Sequence, residues 1–183
     1  MLEIIVPEYH GYDESRGVFI DVNTSTKLKL EHSLVSLSKW EAKWKKPYLD
    51  GKAKSDDEIL SYIKCMTINT QVDDDIYYAL SNENKIDIAT YINDPMTATT
   101  FYDPDRETGG TNKKEILTTE LIYYMMMVWN IPMECEKWHL NRLLTLLRIF
   151  KVKNEKPKKM TGAMLAERRR LNEERKARMH TKG

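Results

Sequence analysis

TTELIYYMMMVWNIPMECEKWHLNRLLTLLRIF, residues 118–150, carries the strongest structural signal in the chain. Thr118 or Thr119 can cap a helix bearing Leu121, Ile122, Tyr124, Met125 and Val128. That helix is apolar around more than half its circumference, which predicts deep burial. Asn130 to Pro132 breaks the pattern, and Pro132 suits the first turn of a new helix, where its missing N–H costs nothing. Trp138, Leu140, Leu143, Leu144, Leu146, Leu147 and Phe150 then supply its apolar side. Two apolar helices joined by so short a break predict a helical hairpin.

Inside this stretch Cys135 and His139 stand four residues apart. On a helix they share a face, so a metal site or a Cys–His dyad has to be weighed. Zinc needs three or four ligands, usually thiolate and imidazole. His10, His32 and His180 each stand alone in sequence, Cys65 has no paired cysteine, and CxxC and HExxH are missing. A nucleophilic thiol needs a depressed pKa, and Glu134 and Glu136 favour the neutral form. These residues therefore read as the wall of the hairpin. With neither GxGxxG nor a phosphate loop among seven glycines, the expectation is a chain without catalytic residues, metal or cofactor, and not an enzyme.

Upstream, HSLVSLSKWEAKWKK (residues 32–46) places Leu34, Leu37, Trp40 and Trp44 on one stripe, stopped by Pro47. SDDEILSYIKCM opens with Ser55 and Glu58 at capping-box spacing, and Ile59, Tyr62, Ile63 and Met66 form its expected buried face. DDDIYYAL and NENKIDIATYIND predict two shorter helices. The run Asp73-Asp74-Asp75 suits a positive helix N-terminus and lacks the spacing of a calcium loop. MTATTFYDPDRETGGTN reads as a short extended piece and an exposed loop. At the start, LEIIV, GVFIDV and TKLKLE predict short strands, which need helices on one face.

The 183 residues are 41% hydrophobic and 31% charged, with net charge +1. That balance hides an asymmetry. Residues 151–183 hold 12 Lys and Arg against 4 Asp and Glu, a surplus of 8 positive charges. The rest holds 17 basic and 24 acidic residues, a deficit of 7. KVKNEKPKKMTG predicts a linker. AMLAERRRLNEERKARM has high helix propensity, but Met164, Leu165, Leu171 and Met179 make too thin a stripe for a self-sufficient domain. The expected organisation is an N-terminal β element plus helical domain over residues 1–150, then a basic, mobile or docked arm over 151–183. The fold class is mainly α (α+β): a small β element packed on a helical bundle, a late hairpin and a basic C-terminal helix. No stretch approaches the roughly 20 apolar residues of a membrane span, and a secretory signal is missing, so two reduced thiols in a cytosolic protein are expected.

ELIYYMMMVWNIPMECEKWHLNRLLTLLRIFKVKN, with LEHSLVSLSKWEAKW upstream and the ending RRRLNEERKARM, resembles the tail assembly chaperones of tailed bacteriophages. Leu34–Trp44, Leu121–Trp129 and Trp138–Phe150 carry the resemblance, about half the chain. It implies a non-enzymatic protein of the host cell cytoplasm. Such a protein coats the tape-measure protein, helps recruit tail-tube subunits and then leaves. A structural component of the tail or head-tail connector is the alternative, and a nucleic-acid-binding protein a weaker one, because the basic arm lacks interleaved aromatics.

A holder of an apolar helix needs adaptable exposed surface, and the ten methionines fit that need. Tyr123 to Trp129 circle the helix axis almost twice, so some must face outward. Tyr123, Met126 and Met127 lie off the Leu121–Tyr124–Met125–Val128 stripe and are the expected client contacts. Arg168, Arg169, Arg170 and Arg175 are expected contacts on the arm. Self-association is the competing use of the same patch.

Overall fold

A computed structural model describes residues 1–14, 17–101, 116–154 and 162–179. The fold is mainly helical with a small β element at the N-terminus. The chain divides into two units, Met1–Phe150 and Lys151–Gly183.

The first unit opens with four strands, β1 (Leu2–Val6), β2 (Tyr9–Asp13), β3 (Val18–Val22) and β4 (Thr26–Leu30). β1 pairs antiparallel with β4, and β2 with β3. The register passes from Val6 opposite Thr26 to Tyr9 opposite Val22, so two residues on one strand face three on the other. The extra residue acts as a bulge that bends one long ribbon into two short sheets. Ile4, Val6, Ile20, Val22, Leu28 and Leu30 point into the core. β2 is absent from the strands expected from sequence. Gly11 interrupts its alternation, and the Tyr9 ring lies so close to Gly11 that a Cβ there would collide with it.

The ribbon's edges are closed by side chains from later in the chain. Beside β4, the Lys29 N–H donates to the Asn69 side-chain oxygen at 2.7 Å, and the Asn69 amide returns a bond to the Lys27 carbonyl at 3.0 Å. Backbone bonds from Glu31 N–H to the Met66 carbonyl and from Ile68 N–H to the Lys29 carbonyl flank this clasp. Beside β1, the Asn84 amide donates to the Ile5 carbonyl. An open edge is a template for aggregation, and these bonds blunt it.

Helices α1 (Leu34–Trp44) and α2 (Asp56–Met66) pack together over the ribbon. Leu34, Leu37 and Trp40 are fully buried, as their spacing predicts, and the Trp40 indole N–H donates to the Glu58 carbonyl. The Ser55–Glu58 capping box forms. Ile59, expected inside, is exposed, and Glu58 is buried in its place because its carboxylate caps Ser55 and meets Lys46.

The short α3 (Asp75–Tyr78) precedes α4 (Asn82–Asn93). α4 carries a second capping box that sequence reading missed, between Ser81 and Asn84. Asparagine in the usual Glu or Gln position leaves its amide free to donate to β1.

α5 (Thr119–Val128) and α6 (Leu140–Asn154) are joined by a 3-10 segment, Met133–Lys137. The second helix of the expected hairpin therefore starts at Leu140, not at Pro132. The His139 carbonyl accepts from Leu143 N–H and opens the helix. α6 runs on to Asn154, into what read as linker, and residues 155–161 of that linker lie outside the described residues, as do residues 102–112 of the expected loop. The second unit contains α7 (Gly162–Met179), in agreement with its propensity.

Candidate partner-binding surface

α5 is set in place from both ends. At its start, Thr118 caps the helix by accepting from Leu121 N–H. One oxygen of the buried Glu41 carboxylate accepts from the Thr119 N–H at 2.8 Å and the Thr119 hydroxyl at 2.7 Å. Its other oxygen accepts from Tyr48 N–H at 2.8 Å. At its end, Asn130 adopts a left-handed conformation (φ 52). Asn130 N–H donates to the Met127 carbonyl and Ile131 N–H to the Met126 carbonyl, the Schellman arrangement. Its hydrophobic partners are Ile131 and Met126, both buried.

These anchors fix the rotation of the helix. Thr119, Ile122 and Met126 face the core. Met126 is fully buried and cannot be the client contact expected from sequence. Tyr123 is half-buried and donates to Glu136 at 2.9 Å, so it too is already engaged. Burial and the adjoining carboxylate push its phenol up to about 12. Met127 is exposed as expected. Tyr124 and Val128, placed on the buried stripe by sequence reading, are exposed instead. The exposed face is thus Tyr124 (61%), Met127 (62%) and Val128 (54%), edged by half-buried Leu121 and continued in the chain by exposed Met133. On the same unit Trp129 stacks on Phe150 at 5.8 Å, and Arg142 lies over Trp138.

A run of large apolar side chains left in water on a secured helix is the mark of a binding surface. Methionine suits it, because its flexible thioether adapts to differently shaped partners. On α7, Arg168, Arg169, Arg170 and Arg175 are all exposed, with Arg170 and Glu174 paired one turn apart at 3.6 Å.

Cys135 and His139 do not form a dyad. Cys135 lies in the 3-10 segment and His139 beyond it, and neither ring nitrogen bonds the thiol: His139 enters a ring cluster instead. There His32 Nδ1 lies 2.6 Å from the Tyr62 hydroxyl, the His32 and His139 rings meet edge to face at 4.9 Å, and His139 Nε2 bonds the Tyr91 carbonyl. Burial and the neighbouring His139 lower the His32 pKa to about 3, and burial also lowers that of His139. Sequence reading left these two histidines unconnected. Among the described residues, no three His, Cys, Asp or Glu side chains gather as metal ligands would.

Both cysteines are free, and burial raises the Cys65 thiol, the opposite of nucleophile activation. Cys135→Ala is expected to cost about 1 kcal/mol by lost packing, read from urea denaturation, and to leave partner binding intact. Lost binding in a folded variant would contradict the wall assignment.

Comparison of the chain with known protein families, curated proteins and solved structures finds no match. No helix among the described residues is long and apolar enough to cross a membrane.

Proposed function

We propose that the protein is a non-enzymatic assembly chaperone of a tailed bacteriophage. It holds an apolar helical segment of the tape-measure protein in the host cytoplasm and helps bring tail-tube subunits to it. The observation that carries this reading is the exposed Tyr124–Met127–Val128 face on a helix locked at both ends. A chaperone for an apolar helix has to keep such a face open in water without unfolding. Glu41 and the Asn130 turn provide the rigidity, and the methionine provides the tolerance. The resemblance of residues 120–154 to tail assembly chaperones supplies the client. The exposed arginines of α7 offer a second, electrostatic contact for the partner.

The test is co-expression with the tape-measure protein. Tyr124→Asp with Met127→Asp is expected to leave the far-UV CD spectrum and melting temperature nearly unchanged and to abolish co-purification. Retained co-purification by a folded double variant would overturn the surface. Mass spectrometry of purified virions then separates a chaperone, present at most in traces, from a stoichiometric structural component.

A further inference from the structure

Tyr124 and Met127 share their line on α5 with Glu120, at helical spacings of four and three. Glu120 lies at the helix start and is fully exposed. Its own backbone N–H and the hydroxyls of Thr118 and Thr119 hold its carboxyl below the ordinary range, so it is charged at neutral pH. Past the other end of α5 comes exposed Met133, followed by exposed Glu134. Residues 116–136, which contain the whole apolar face, hold Glu120, Glu134 and Glu136 and not one Lys, Arg or His. The second unit differs in kind, being basic.

We infer that the segment docked on α5 is a cationic amphipathic helix of a partner protein, with an apolar line of two to three turns edged by Lys or Arg. This rests on the proposed function for the identity of the site and adds the chemistry of its client. Apolar contact with Tyr124, Met127 and Val128 tolerates many sequences. Glu120 on the line of the face, with Glu134 beyond it in the chain, selects among them by sign, since like charges brought together oppose docking. Exposed pairs contribute modestly and are screened by salt, so the selection is strongest at low ionic strength.

The probes are three labelled helical peptides with one leucine line and Lys, Gln or Glu flanks, titrated by fluorescence anisotropy against the full chain at low and high salt. The Lys-flanked peptide is expected to bind about tenfold tighter than the Glu-flanked one at low salt. High salt should narrow the gap, and Glu120→Lys with Glu134→Lys should invert it. Equal binding of the Lys and Glu peptides, or a preference indifferent to those two changes, overturns the inference. A full-length dimer that excludes the peptide and dissociates on Met127→Asp also overturns it, because a second copy is then the occupant.

The two readings fail separately. Tape-measure capture through α5 without any charge preference sinks the client chemistry alone. Charge-selective peptide binding at α5 without tape-measure capture sinks the phage assignment alone.

Discussion

Glu41→Leu is expected to lower the melting temperature by roughly 10 °C. The carboxylate is buried and takes three bonds, from the Tyr48 N–H, the Thr119 N–H and the Thr119 hydroxyl. Thr119 is itself buried, so loss of the acceptor strands its N–H away from water, while its hydroxyl is left with the longer bond to Glu120 at 3.5 Å. The stranded N–H costs about 1–3 kcal/mol, and the weakened hydroxyl bond and the half-buried Tyr48 N–H less each, for a total of about 2–4 kcal/mol. At roughly 2–4 °C per kcal/mol for a chain of this size, the shift is large against ordinary stabilities. Glu41→Gln keeps one acceptor oxygen and turns an NH2 toward a donor, so it should fall between Leu and the parent. Glu83→Gln, on the exposed side of α4, is the control and should melt as the parent does. A loss below about 1 kcal/mol for Glu41→Leu would mean that water replaces the carboxylate.

The second large effect is acid sensitivity. His32 is neutral in the folded chain, with a pKa lowered to about 3 from 6.5. A base with a depressed folded pKa binds more protons when unfolded. Its contribution is therefore complete above pH 6.5 and is lost as pH falls from 6.5 toward 3. The slope in that window is about 1.4 kcal/mol per pH unit. His139 adds in the same direction. The groups facing this pair are Tyr62 of α2, Tyr91 of α4 and, by their fields on His139, Asp94 beyond α4 and the N-terminal ammonium. Urea denaturation at pH 7 and pH 5 should show a fall of about 2 kcal/mol in the parent from His32 alone. His32→Gln keeps a hydrogen-bonding partner for Tyr62 and should flatten the curve. Carboxylates titrate equally in both proteins, so the difference isolates the histidine. Parallel curves would show that His32 charges freely in the fold.

How much of this was readable depends on which neighbours set each face. On α1, Ser36, Ser38 and Lys39 fall between Leu34, Leu37 and Trp40, with Val35 the one apolar residue off the stripe, so periodicity alone orients the helix. Ser55 and Glu58 act within one turn, and their cap was legible for the same reason. α5 is different. Apolar nearly all round, its periodicity does not choose a face, and the choice is made by Glu41, far away in sequence, and by the turn at Asn130. The Asn130-Ile131 pair was the available local signal: a left-handed residue followed by an apolar one ties Ile131 to Met126 and turns Met126 inward. An exposed patch on this helix followed from counting side chains, but Tyr124 and Val128 rather than Tyr123 and Met126 compose it. The meeting of His32 with His139 rests on the packing of four elements, and nothing local announces it.

The side-chain clasps on the ribbon also set a schedule for synthesis. Strands β1 to β4 leave the ribosome before the helices of their unit, yet the β4 edge stays bare until Asn69 is made and the β1 edge until Asn84 follows. A chain halted between residues 30 and 69 thus displays two open strand edges while Ile4, Val6, Leu28 and Leu30 still lack their helical cover. The strands of this unit, made before its helices, thus wait for residues made some forty to eighty positions later before they are safe from association with other nascent chains.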